Sequence, residues 1–275
     1  MHNIRLVVTD LDGTLLGPDT SISEEAVQTI AELSKKGIRF TFITGRPYYA
    51  VERFAQQLVI TAPIVTCNGA VLCDGERVLY RRSFPLSNLE KLVRTAVLKG
   101  FTVLMFQHDT EYSFSETGWT RRRKAAGRAV PFREIAAVDW PVETADKLNI
   151  MTEAENAGFD TLLGLVAEVK DLYSVTMYGD KGCEIVAKGV NKAVALQDLC
   201  KRLGISENEV LAIGDNENDN KMLAVAGVGA AVGNAVSSTK SYADYLCILP
   251  FTEGAVEAIR VIAMHDVDYI SRKDD

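Results

Sequence analysis

The chain has no apolar run near the roughly 20 residues a helix needs to cross a bilayer, so a helical membrane protein is not expected. No signal-peptide pattern of basic, apolar and small-residue regions precedes the first strand-like segment, which points to a cytoplasmic protein. Histidine is scarce: His2, His108 and His265 are far apart, so a histidine-rich zinc site is not expected. The five cysteines (Cys67, Cys73, Cys183, Cys200, Cys247) are odd in number and form no Cys-x-x-Cys pair. Each lies in or beside an apolar stretch, so buried, reduced thiols are expected rather than a disulfide scaffold. Basic charge is also short. Lys and Arg total 30 against 37 Asp and Glu, a net charge of −7, which argues against a general nucleic-acid binder. There are no internal repeats and no low-complexity segments.

What is present is an ordinary soluble composition, 47% hydrophobic and 24% charged over 275 residues. That is enough for one large domain or two modest ones. The most informative stretch is Ile4-Arg5-Leu6-Val7-Val8-Thr9 running into Asp10-Leu11-Asp12-Gly13-Thr14. The apolar, β-branched run predicts a buried strand. Two carboxylates two residues apart at its end point to one side of the backbone. Their repulsion needs an offset, and a hard divalent cation such as Mg²⁺ supplies one. The alternative is a solvated Asp-x-Asp-Gly turn.

The first third alternates strand and helix. Ser21-Ile22-Ser23-Glu24 has the form of a capping box, and Val27, Ile30, Ala31 and Leu33 give a helical face that Gly37 ends. Residues 38–43 predict a strand delivering Thr44-Gly45-Arg46, and Pro47 suits the first position of a helix. Residues 63–67 predict another strand, ending at Asn68-Gly69, before a hairpin over 71–80. From 85 to 181 the pattern changes to mixed helices and strands of an α+β insert. Strand–helix alternation resumes from Glu184, with strands expected at 210–213, 227–232 and 245–249. The expected fold is therefore α/β: a Rossmann-like core of residues 1–84 and 182–275 with a parallel sheet, interrupted by an insert at 85–181.

In open parallel sheets, sites form at the C-terminal strand ends near the point where strand order reverses. Four such ends carry suitable side chains: Asp10 and Asp12; Thr44-Gly45-Arg46; Asn68-Gly69; and Asp215 with Asn218 and Asp219. Lys192, in Lys188-Gly189-Val190-Asn191-Lys192, lies near the start of the helix before the Asp215 strand. An acidic end on an apolar strand needs a partner, which speaks for Asp215 as a site residue. Arg46 either joins the site or pairs with a core carboxylate, and Asn68-Gly69 is either part of the site or a turn before the hairpin.

With these motifs in this order, the chain resembles the haloacid dehalogenase superfamily, and within it the Cof-type sugar phosphatases of subfamily IIB, which have a large inserted α/β cap. The resemblance runs through Asp10-Leu11-Asp12-Gly13-Thr14, Thr44-Gly45-Arg46, Lys192 and Gly214-Asp215-Asn216-Glu217-Asn218-Asp219. It implies that Asp10 attacks phosphorus to form an aspartyl-phosphate and that Asp12 is the general acid and base. It also implies Mg²⁺ held by the Asp10 side chain, the Asp12 backbone carbonyl and Asp215. Thr44, Gly45, Lys192 and Asn218 would grip the phosphoryl oxygens. Asp219 either holds a metal-bound water or orients Lys192.

The implied substrate is a small phosphorylated metabolite, a sugar phosphate first and a pyridoxal or flavin phosphate second, with the cap closing over the site. The implied state is a monomer or weak homodimer with neither nucleic acid nor membrane as partner. A phosphomutase uses the same aspartyl-phosphate, and a non-catalytic phospho-ligand binding protein could use the same scaffold. Receiver domains also surround a phosphorylated aspartate with acids and a lysine, but they are less than half this length and lack an Asp at the position of Asp12. The basic run Arg121-Arg122-Arg123-Lys124 either attracts an anionic substrate or is a solvated helix face. Tyr112, Phe114 and Trp119 either line a pocket or belong to the core of the insert.

Overall fold

The computed structural model describes residues 3–152, 158–179, 181–266 and 268–269. The chain divides into two compact units, one of residues 1–80 with 191–275 and one of residues 81–190.

The first unit is built on a parallel five-stranded sheet. Its order is Tyr245–Leu246, Val228–Ala231, Val210–Gly214, Leu6–Thr9, Arg39–Phe42. Leu6 and Val8 face one layer, with Leu196, Leu199 and Met222, while Val7 faces the other, with Ile30, Leu33 and Val256. A strand covered on both faces has no solvent side, which is why its sequence is a continuous apolar run. The chain leaves Leu6–Thr9 toward Arg39–Phe42 and later returns to its other side at Val210–Gly214. The order therefore reverses between Leu6–Thr9 and Val210–Gly214, and Asp10 and Asp215 stand at those two ends. A separate ribbon follows in the order Ile64–Thr66, Val71–Asp74, Arg77–Arg81.

Local signals differ from expectation in two places. The helix Glu24–Lys35 is capped by Ser23, whose Oγ accepts the Ala26 N–H at 3.2 Å. Ser21 instead bonds to Asp19, so the expected box starts two residues too early. Pro47 precedes a short 3₁₀ turn, Tyr48–Ala50, and the α-helix begins only at Glu52. All five cysteines are buried, and none is in a disulfide.

The second unit carries an antiparallel sheet in the order Tyr173–Met177, Gly182–Ala187, Lys147–Met151, Thr102–Gln107, Thr110–Ser113. Val103, Met105, Leu148, Ile150, Cys183 and Ile185 form one face of it and pack with the helices Glu90–Leu98 and Phe159–Ala167. The insert was expected to end at 181, yet Gly182–Ala187 pairs with Lys147–Met151 and Tyr173–Met177 in this sheet. Phe114 lies in this core and Tyr112 packs partly against it. The basic run forms the helix Gly118–Ala125, which buries none of its residues. Arg123 lies 4.9 Å over the Trp119 ring and 3.9 Å from Glu111, while Arg121, Arg122 and Lys124 are exposed. Among the described residues no helix is long and apolar enough to cross a membrane.

Candidate active site

The strand end at Asp10 is fixed by its neighbour, since the Asp10 N–H donates to the Ile213 carbonyl at 2.9 Å. The Asp10 carboxylate is buried and meets the Lys192 Nζ at 2.8 Å. Lys192 is also buried, and its second partner is Asp219 at 2.7 Å. Lys192 opens the helix Lys192–Leu203, which Asn191 caps through the Ala193 and Val194 N–H groups. A cation at a helix N-terminus opposes the helix dipole. Only the two carboxylates explain its position there.

Asp219 is fully buried and holds more than the lysine. Its Oδ2 accepts the N–H groups of Asp215 and Asn216 at 3.0 and 3.1 Å, so it shapes the loop that presents Asp215. The Thr14 hydroxyl donates to Asp215 Oδ1 at 2.6 Å. One carboxylate oxygen each from Asp10, Asp215 and Asp219 lies within 4.8 Å of the others. Three carboxylates around one ammonium leave excess negative charge. Burial pushes the Asp10 carboxyl well above its ordinary value; Lys192 opposes this, and Asp219 and Asp215 add to it. Burial works against the Lys192 ammonium, but Asp10 and Asp219 outweigh it and hold its pKa above the ordinary lysine value. Burial likewise pushes Asp215 up to about 6, against the Thr14 hydrogen bond and with help from Asp219. A hard divalent cation fits this all-oxygen donor set and relieves its charge.

Asp12 is exposed, and its carboxylate lies outside the cluster. Arg46 grips both of its oxygens, the Nε–Oδ2 contact being 2.7 Å, and lies 5.6 Å over the Phe54 ring. Arg46 thus pairs with a carboxylate of the expected site and not with one of the core. Thr44 is buried at its strand end, and its Oγ1 accepts the Arg46 N–H at 3.2 Å, with Gly45 between them. Asn68 and Gly69 form no ordinary turn. Cys67, Asn68 and Gly69 all have positive φ (51°, 54° and 106°), and two of the three are not glycine. Such backbone costs roughly 1–3 kcal/mol per strained residue and persists where the surroundings hold it. Here the Cys67 and Asn68 N–H groups donate to the Arg46 and Thr44 carbonyls at 3.0 and 2.9 Å. Asn218 Nδ2 reaches Asn68 Oδ1 at 3.3 Å, which joins the third and fourth strand ends. The residues expected at the four strand ends, with Lys192, therefore meet at one edge of the core sheet.

One participant escaped sequence reasoning. Asn234 donates from Nδ2 to the Gly13 carbonyl at 2.8 Å. Its setting, Gly233-Asn234, reads as a plain turn, and nothing local in the sequence marks its partner.

Fold and site together define a hydrolase built on an open α/β sheet with an inserted sheet domain. The model for haloacid dehalogenase-like hydrolases matches residues 7–259. The 5-amino-6-(5-phospho-D-ribitylamino)uracil phosphatase YcsE of Bacillus subtilis is 29% identical over 258 residues, 94% of this chain and 95% of its own. The pyridoxal phosphate phosphatase YbhA of Escherichia coli is 26% identical over 254 residues, 87% of this chain and 92% of its own. Among solved structures, the subclass IIB sugar phosphatase BT4131 superposes with a TM-score of 0.82 over 94% of this chain and 99% of that one. At 19% identity that likeness is one of fold. The chain belongs to the haloacid dehalogenase-like hydrolases and is a phosphatase of that family, with the fold of the subclass IIB members.

Proposed function

We propose that the protein hydrolyses phosphate monoesters of small metabolites, sugar phosphates first, with Mg²⁺ bound at Asp10, Asp215 and the Asp12 backbone. The observation that carries this reading is the Asp10–Lys192–Asp219 array beside Asp215 at the point where strand order reverses. Asp10 attacks phosphorus, and the bond to the leaving oxygen breaks as Asp12 gives that oxygen a proton. Water then attacks the aspartyl-phosphate, Asp12 takes its proton, and Asp10 is regenerated with release of phosphate. The Arg46 pair suits the second half, when Asp12 is a carboxylate. Thr44, the Gly45 N–H, Lys192 and Asn218 face the charge that develops on the phosphoryl oxygens. When bound, Mg²⁺ neutralises the carboxylates and adds charge stabilisation to the transferring group. The named activities of YcsE and YbhA both concern phosphorylated small molecules, which supports the substrate class.

Phosphate release from a panel of sugar phosphates, nucleotides, pyridoxal phosphate and flavin mononucleotide, with Mg²⁺ and with EDTA, tests this reading. Metal-dependent release is expected, with a sugar phosphate ranked first. No release from any compound, or release unaffected by EDTA, rejects it.

Metal binding has its own pH signature. Asp215 titrates at about 6 in the folded protein against 3.8 ordinarily, so the metal-free fold holds more protons than the unfolded chain between those values. The stability this group contributes is present below about pH 4 and is lost as pH rises through about 6, by up to roughly 3 kcal/mol. A cation on the ionised carboxylate recovers it. Other acids shift the opposite way, Glu143 among them, so the informative quantity is the Tm increment produced by Mg²⁺ and not Tm itself. We expect that increment to grow between about pH 5 and pH 7.5 and to shrink in Asp215→Asn. An increment independent of pH would remove Asp215 from the metal site.

A further inference from the structure

A segment outside the four expected strand ends ties the two acid-bearing loops together. It follows the Val228–Ala231 strand. Asn234 Nδ2 donates to the Gly13 carbonyl at 2.8 Å, and its Oδ1 accepts the Phe251 N–H at 2.6 Å. One backbone acceptor and one backbone donor leave the amide a single sensible orientation. Two residues on, the Val236 N–H donates to the Asp215 carbonyl at 2.9 Å. The same short segment thus holds both the residue after Asp12 and the residue that carries the Asp215 carboxylate.

The two loops it holds are pressed together. A Cβ on Gly13 would stand 2.4 Å from Asp215 Oδ2, so any drift of the Gly13 turn moves against that carboxylate. The brace has little freedom of its own. The Gly233 N–H donates to the Leu249 carbonyl at 2.8 Å, and Lys240 Nζ donates to the Gly233 carbonyl at 2.7 Å. Behind it, the fully buried Glu257 accepts the Ile248 and Leu249 N–H groups at 3.0 and 2.9 Å. Phe251, whose N–H Asn234 accepts, has a φ of +48°, a conformation the surroundings must hold in place.

We infer that Asn234 is a positioning residue for the metal site: its amide fixes the Gly13 turn against Asp215 and so sets the affinity for the divalent cation. The inference rests on the metal-dependent reading above. Outer partners of this kind commonly change metal affinity by about 10–100-fold.

Three variants of the full chain test it, read by calorimetric Mg²⁺ titration and by the Tm increment with Mg²⁺, neither of which needs turnover. Asn234→Leu keeps the shape and removes both hydrogen bonds; about tenfold weaker Mg²⁺ binding is expected. Asn234→Asp keeps an acceptor for Phe251 and loses only the donor to Gly13. Its added charge alone would attract Mg²⁺, so weaker binding supports the inference and equal or tighter binding overturns it, even if the leucine variant fails to fold. Thr252→Val is the control, because Thr252 Oγ1 donates to the Leu15 carbonyl at 2.8 Å and ties the same segments without touching Gly13. It should lower Tm and leave Mg²⁺ affinity within about twofold. An equal loss of affinity in Thr252→Val overturns the inference, since it would report general loosening. Wild-type protein that takes up no Mg²⁺ overturns the metal reading, and this inference with it. Wild-type binding alongside unchanged binding in Asn234→Leu overturns the inference alone.

Discussion

The expected result for Asp10→Asn is loss of phosphate release by at least about a thousandfold, in a chain that stays folded. An amide oxygen has nearly the shape of the carboxylate oxygen but not its charge, so it cannot form the bond to phosphorus. Stability should change little. Asp10 is buried beside Asp219 and Asp215, which push its carboxyl up together with burial, so a neutral side chain removes like-charge repulsion. Lys192 keeps Asp219 at 2.7 Å as its remaining partner. A phosphate-release assay run beside a thermal melt checks both halves. Activity above a few per cent of wild type would reject Asp10 as nucleophile.

Lys192→Met should have the second largest effect, and on two quantities that can be separated. Turnover should fall by about 10²–10³-fold, because the cation fixed beside Asp10 no longer meets the phosphoryl charge. The metal-free protein should also lose stability, since removing one partner of a buried ion pair typically costs about 3–5 kcal/mol. Here Asp10 and Asp219 would both be left buried without their cation. Lowering the pH protonates Asp10, whose carboxyl burial already pushes up, and should restore part of the lost Tm. Mg²⁺ should restore part of it as well, but not the turnover. A nearly wild-type rate would exclude Lys192 from the chemistry.

Much of this was legible in the sequence for a simple reason. Leu6–Thr9 and Val210–Gly214 are fully buried, largely apolar strands that run into acids, and such ends need a partner whatever the details of packing. What could not be read were choices made by three-dimensional geometry. Arg46 could have paired inward, and only the fold brings it to Asp12. Asp219 could have been a solvated residue of its loop, yet it is fully buried under Lys192 and two backbone N–H groups. Ser21 and Ser23 are equal candidates for a cap until the Ala26 N–H selects Ser23. Gly182–Ala187 reads as a strand in either sheet, because alternation says nothing about which neighbour supplies its hydrogen bonds. Asn234 was invisible for the same reason: its meaning lies in the Gly13 carbonyl, more than two hundred positions earlier in the chain.

The strand order also bears on how the molecule comes to exist. Leu6–Thr9 pairs on one side with Arg39–Phe42 and on the other with Val210–Gly214, which is made about 200 residues later. During synthesis its second edge therefore waits, apolar and unbonded, until the second unit has emerged. Long-range parallel pairing is slow because loop closure precedes its reward, and open strand edges invite association between chains. An insert able to fold by itself keeps that waiting period short, since a compact 110-residue body closes the loop more readily than a floppy one. How early the second unit folds thus bears on the yield of the whole protein.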